Sequence, residues 1–233
     1  MGGLLSLGAA MLLGWLSLLG PTPTRHSVGT PRSGTLVGAQ RLGSGPGYFV
    51  HDRTTSYGTP TTVAHLRAVL EALHEAHPAV VLRVGDLSRR EGGKLVAHRS
   101  HQSGRDVDLG LVPPRGAGRF RGRFERAPAE RIGMMDERAT LHLLRLLAAT
   151  AGQPGGVQWI MLDYGLQQRL HAEGMAAGLE AAELDALLQY PHGRRASRGL
   201  VRHYPGHRNH MHVRFACAPG ERACRGRTEP PRP

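Results

Sequence analysis

The 233 residues include 40% hydrophobic positions, 32 glycines and 16 prolines, which suits one loop-rich domain rather than a helical bundle. The formal net charge is +12, nearly all from arginine, and such a surface attracts polyanions: nucleic acid, anionic lipid or acidic wall polymers. The four phenylalanines and five tyrosines are not interleaved with the basic residues, so no base-stacking platform is evident and nucleic acid is not an expected partner. An arginine-rich composition would give the same charge with no function attached.

From Met1 to Gly20 no residue is charged; Pro21 and Pro23 then break the run, and Arg25 is the first charge. An apolar core followed by breakers reads as a secretory signal, or as an N-terminal anchor of about 20 residues if it stays uncleaved. The segment lacks the usual basic residue before its apolar core and a clear small-x-small cleavage site. Residues 1–23 are therefore read as signal or anchor, 24–226 as the working domain and 227–233 as a disordered tail. Membrane contact is expected only through the N-terminal segment.

Residues 27–60, with Gly43-Ser44-Gly45-Pro46-Gly47, read as an extended arm. Residues 61–77 predict a helix capped by Thr61 or Thr62, with Leu66, Val69, Leu70 and Leu73 on one face. Ala79 to Val84 predicts a strand, and the glycines of 85–104 a loop. Arg105 to Leu111 alternates, which puts Asp106 and Asp108 on the polar side of a half-buried strand and Val107 and Leu109 on the other. The segment 113–127 reads as a Gly/Arg/Pro loop without a core. Residues 137–151 predict a second helix, Val157 to Leu162 a strand, 165–189 one or two helices broken near Gly174 or Gly178, and 192–208 a basic loop. In the last strand His210, His212 and Arg214 alternate with Met211, Val213 and Phe215. The fold class implied is α+β, with a small, largely antiparallel sheet flanked by helices.

Cys217 and Cys224 are the only cysteines. In an exported chain two nearby cysteines suggest a disulfide around Ala218-Pro219-Gly220; the alternative is two free thiols.

Two of the histidine-bearing segments stand out: His98-Arg99-Ser100-His101-Gln102-Ser103-Gly104-Arg105-Asp106-Val107-Asp108 and His207-Arg208-Asn209-His210-Met211-His212. Zinc hydrolysis needs three N or O ligands with a fourth position for water, and a base within reach of that water. Two imidazoles and a carboxylate leave the site net positive, which lowers the pKa of bound water. His101 and Asp108 could supply two ligands, with a third from the His-x-His strand if the strands lie side by side. Gly104 lets the chain turn between the first two. Either piece alone is weak: alternating histidines occur on exposed strands, and an exposed aspartate beside arginines is usually a solvated ion pair.

The segment 100–108 resembles the first signature of the penicillin-insensitive murein endopeptidases, and 207–214 resembles their second. These enzymes are kin to lysostaphin-like peptidases, D-Ala-D-Ala carboxypeptidases and hedgehog domains. Weaker similarity runs through Ser27-Val28-Gly29-Thr30-Pro31, Gly45-Pro46-Gly47-Tyr48, Gln158-Trp159-Ile160 and Gln167-Gln168-Arg169-Leu170, so that it spans about residues 27–217. The resemblance implies one catalytic zinc ion on His101, Asp108 and His212. It implies His210 as the leading candidate for general base or transition-state stabiliser, and His207 as a second catalytic histidine. His98 and Asp106 would stand behind the ligands; for Asp106 the alternative is an ion pair with Arg105 or Arg99. The activity implied is periplasmic hydrolysis of D-alanyl–diaminopimelyl cross-links between peptidoglycan stem peptides, in a Gram-negative envelope. The alternatives are a carboxypeptidase trimming terminal D-alanine from uncrosslinked stems and a non-catalytic zinc-containing wall-binding module.

Overall fold

The computed structural model describes residues 26–96 and 98–226. The N-terminal apolar segment and the tail read over 227–233 lie outside them. In chain order the elements are β1 His26–Thr30, β2 Ser33–Val37, β3 Gln40–Arg41, β4 Tyr48–Val50, β5 Tyr57–Gly58, α1 Pro60–Ala76, β6 Leu82–Val84, β7 Asp106–Gly110, α2 Glu137–Ala148, β8 Val157–Leu162, α3 Tyr164–Ala176, α4 Ala181–Leu187, β9 Val201–His203 and β10 His210–Phe215. No helix among the described residues is long and apolar enough to cross a membrane.

Six strands form the main sheet, in the order β4-β6-β7-β10-β8-β9. The three inner pairings are antiparallel, and the outer pairs β4/β6 and β8/β9 are parallel. Helices and sheet together give the expected α+β class. The alternation in β7 and β10 sends Val107, Leu109, Met211, Val213 and Phe215 into the core, where they join Leu66, Leu70 and Leu73 of α1 and Leu144 and Leu147 of α2. Burying each such side chain contributes about 1.5–3 kcal/mol relative to exposure. That burial fixes the register, because a one-residue slip would turn the whole apolar set outward.

The helix starts follow from local chemistry. Helix α1 is capped by Thr59 rather than by Thr61 or Thr62. The Thr59 hydroxyl accepts the Thr62 N–H at 3.1 Å, and Pro60 takes the first helical position, where its missing N–H costs nothing. Asp136 caps α2 by accepting the Ala139 N–H at 2.9 Å. The break between α3 and α4 falls at Gly178, whose φ of +77° is a left-handed turn that glycine adopts without strain.

The segment read as an extended arm is more structured than its glycine content suggests. β1 and β2 form a hairpin, and its backbone holds the loop that follows β6: the Leu36 N–H donates to Glu91 O at 3.0 Å, and the Gln102 N–H to Pro31 O at 3.0 Å. A disulfide joins Cys217 to Cys224 and closes a turn against β1, where the Gly29 N–H donates to Ala223 O at 2.9 Å. The buried Arg105 guanidinium completes this corner through Ser27 Oγ (3.1 Å), Phe215 O (2.9 Å) and Arg225 O (2.9 Å).

Candidate metal centre and active site

Strands β7 and β10 are neighbours, and their register places Asp108 opposite His212 and Asp106 opposite Arg214. Directly opposed residues on one sheet face carry their side chains about 5 Å apart, so the pairing alone builds half the site. His212 Nδ1 lies 3.0 Å from Asp108 Oδ1. His101 arrives from the loop before β7, and its Nε2 lies 3.3 Å from the same oxygen. The other nitrogen of each ring is also placed. His101 Nδ1 donates to Leu87 O at 2.8 Å, and His212 Nε2 lies 3.4 Å from Asp106 Oδ1. A carbonyl only accepts, so the proton of neutral His101 sits on Nδ1 and the Nε2 lone pair faces Asp108.

Just before β7 the loop turns through two left-handed residues. Gly104 has φ +72°, and a Cβ there would come within 2.7 Å of Leu36 Cδ2. His101 has φ +66°, uncommon for a residue with a side chain, and its N–H donates to Asp106 Oδ2 at 3.0 Å.

Asp106 is the buried hub beneath the site. It accepts from Arg214 Nε at 2.6 Å and from Arg214 Nη2 at 2.9 Å as well as from the His101 backbone. Its partner is thus Arg214, and neither Arg105 nor Arg99. Burial opposes its ionisation, but Arg214 and His212 outweigh this and hold the carboxyl well below the usual range. Asp108 is likewise held well below that range: burial raises it, and His101 and His212 lower it further.

His98 stands closer to the centre than a purely supporting role requires. One ligand atom each from His98, His101 and Asp108 lie within 4.8 Å of one another. His98 Nδ1 is 3.8 Å from Asp108 Oδ2, and His98 Nε2 is 2.9 Å from Asp86 Oδ2. Asp86 also accepts from the Thr55 hydroxyl. The sequence reading missed Asp86: nothing local marks it, and its relation to His98 is made by a loop returning to the end of β6. The other His/Cys/Asp/Glu cluster among the described residues contains Cys217 and Cys224, whose sulfurs are already bonded to each other.

His207 and His210 stand beside this cluster. The His210 ring lies 4.9 Å from that of His207, and His207 lies 6.0 Å from His212. Asn209 donates Nδ2–H to Phe124 O at 2.7 Å, which leaves its Oδ1 to accept Nδ1–H of His210 at 2.7 Å. His210 Nε2 therefore carries the lone pair. The Phe124 ring stacks on His210 at 4.7 Å and 12°. His207 Nδ1 lies 3.2 Å from Pro205 O, so it too is protonated at Nδ1 when neutral. Burial pushes His210 down to about 3 and His207 down to about 4, and the neighbouring histidines add to this; both are neutral at physiological pH. Phe124 was also missed, because it lies in the segment 113–127 that shows no apolar periodicity.

The donor set fits a divalent transition metal. His101 Nε2 is buried with the Asp108 carboxylate at 3.3 Å as its polar neighbour, so a proton or a metal cation must lie between that lone pair and the carboxylate. Imidazoles with one carboxylate are the donors that zinc accepts in hydrolytic sites.

Residues 27–145 match the family described as penicillin-insensitive murein endopeptidase. Proteins carrying that name align over nearly the whole chain. The one from Pectobacterium atrosepticum is 28% identical over 97% of this chain and 80% of its own length. The one from Klebsiella pneumoniae subsp. pneumoniae is 26% identical over 98% and 80%, and that from Haemophilus influenzae 26% identical over 94% and 74%.

Proposed function

Because the chain belongs to the penicillin-insensitive murein endopeptidase family, we propose that it is a zinc-dependent peptidase that hydrolyses D-alanyl–diaminopimelyl cross-links of peptidoglycan in the periplasm of a Gram-negative cell. The observation that supports the chemistry best is the meeting of His101, His212 and His98 around the Asp108 carboxylate, with two neutral histidines beside them.

His101 Nε2, Asp108 and His212 Nδ1 would hold the zinc ion, and His98 Nδ1 is close enough to join them. Bound there, zinc supplies Lewis acidity, which makes water a stronger acid and the scissile carbonyl a better electrophile. The protein contributes the rest. Leu87 O fixes the His101 tautomer, and Asp106 orients His212 from behind. His210 Nε2 receives the proton of the attacking water, and the imidazolium so formed returns a proton to the leaving amine. His207, neutral and with its Nε2 lone pair free, is a second acceptor for that proton beside His210. No serine acyl-enzyme forms, so β-lactams leave the activity intact.

The test is digestion of purified cross-linked muropeptide dimers with and without a zinc chelator, read by mass spectrometry. Dimers pass to monomers only with zinc if the proposal holds. Dimers that stay intact beside one bound zinc per chain would overturn it, and release of D-alanine from a monomeric pentapeptide would then assign the carboxypeptidase reaction.

A further inference from the structure

The wall of a cavity of about 670 Å³ includes Asn209 and Phe124, the two residues that hold His210. Anything lying in it touches the residues that orient His210. Its inner surface is aromatic and basic. Arg83 on β6 is 6% exposed, with its guanidinium carbon 3.8 Å from the Phe124 ring centre and 5.3 Å from that of Phe120. Arg115, Arg119 and Arg131 also line the cavity. Asp136 is the single carboxylate among the lining residues, and it is engaged as the N-cap of α2. Four guanidinium groups against one committed carboxylate make a positive cavity with low-dielectric walls, which concentrates anionic ligands. The planar guanidinium fork suits a carboxylate.

We propose that this cavity is the subsite for the acidic part of a peptidoglycan stem peptide, with Arg83 the specificity-determining residue that pairs with a free carboxylate of its glutamyl or diamino acid residue. The assignment rests on the peptidase reading above. The aromatic walls cover the apolar carbon chain of the diamino acid, while the arginines meet its charge. Phe124 links the two sites physically: one stack carries Arg83 and another carries His210. A stem seated on Arg83 therefore presents its cross-link next to His210.

The experiment compares cross-linked muropeptide dimers with the same dimers after amidation of their glutamyl and diamino acid carboxylates, using the zinc-loaded full chain. Losing one charge-assisted contact predicts a KM about tenfold higher for the amidated dimer with kcat changed less than about twofold. In Arg83→Met the KM for free-carboxylate dimers rises by a similar factor, and amidation adds little more. Equal KM for both dimers in the wild type, or an undiminished amidation penalty in Arg83→Met, would overturn the proposal. Arg83 is packed between aromatic rings, so Arg115→Gln/Arg119→Gln provides a second variant at exposed positions; it lowers the amidation penalty part-way if the cavity acts as a charged whole. Should neither dimer be cleaved, the peptidase reading fails by itself. Fluorescence anisotropy of a labelled stem tetrapeptide and its amide then tests the subsite separately: tighter binding of the acid supports it, and equal binding overturns it.

Discussion

On one side of the site Asp106, Asp108, His212 and Arg214 stand on adjacent central strands, with a core of valine, leucine and phenylalanine behind them. On the other, His207 and the amide that orients His210 belong to a loop. That loop is tied down by Asp163 N–H on His207 O (2.9 Å), Gly133 N–H on Arg208 O (2.7 Å) and Asn209 on Phe124 O (2.7 Å). The first side is fixed by sheet register and a buried ion pair; the second depends on single hydrogen bonds to segments far away in sequence. In the proposed mechanism the ligands Asp108 and His212 stand inside the rigid strands, His101 comes from the loop before β7, and the proton acceptors His210 and His207 lie at the start of β10 and in the loop before it, where small adjustments are possible.

If that division of labour is right, damage to the two sides has different signatures. His210→Ala removes the proposed proton carrier and lowers kcat by about 10²- to 10⁴-fold while leaving bound zinc and melting temperature nearly unchanged. Loss of the metal together with activity, measured by atomic absorption on the purified variant, would assign His210 to the rigid side instead. Asp106→Asn acts through the fold. It leaves Arg214, only 5% exposed, without its bidentate partner, and breaking a buried pair in this way costs about 3–5 kcal/mol. Denaturant unfolding of the metal-free protein reads that loss directly. A change under about 1 kcal/mol would mean that the pair is dispensable to the sheet.

The same contrast explains what could be read from the sequence. Period-two alternation is a local signal. It places Asp106 and Asp108 on one strand and His210 and His212 on another, and the structure sets those strands side by side. The break between α3 and α4 was legible through glycine, at Gly174 or Gly178, and the disulfide through two cysteines near one turn. Asp86, Phe124 and Arg83 were not, because each acquires its role from a partner across the fold: Asp86 from His98, Phe124 from Asn209, 85 positions away, and Arg83 from Phe124. The β1–β2 hairpin was concealed for a different reason. Its strands are rich in Gly, Ser and Thr, and they persist because their backbone pairs with the His101 loop and the C-terminal turn.

Asp86 provides a finer probe of the rigid side. It touches no expected ligand atom, yet its carboxylate fixes which nitrogen of His98 faces Asp108. Outer partners of metal-binding histidines typically account for about 10- to 100-fold in metal affinity. Asp86→Ala should therefore weaken zinc binding by that factor in a chelator competition, and Asp86→Asn by less, since the amide keeps an acceptor for His98 Nε2–H. Equal affinity in all three proteins would confine His98 to a structural role.

The smallest effect expected is the most diagnostic of the metal site. Burial alone would lower the pKa of His101, but the charge and hydrogen bond of Asp108, followed by Asp106, raise it to about 9 in the metal-free protein. Below that pH the ring is protonated, and a cation must expel the proton to use Nε2. Zinc affinity should then rise about tenfold per pH unit towards 9, with about one proton released per ion bound at pH 7.5. Calorimetry in two buffers of different ionisation enthalpy measures that release. The sign for stability follows from the same shift. With a folded pKa above the unfolded value of about 6.5, the contribution of His101 is fully present below pH 6.5 and is lost as the pH rises through about 9. Melting of the chelator-treated protein should thus move to lower temperature over that window, whereas zinc-loaded protein should not follow, because the bound cation has already displaced the proton. Release of no proton at pH 7.5 would show that His101 is not the nitrogen on which the metal and the proton compete.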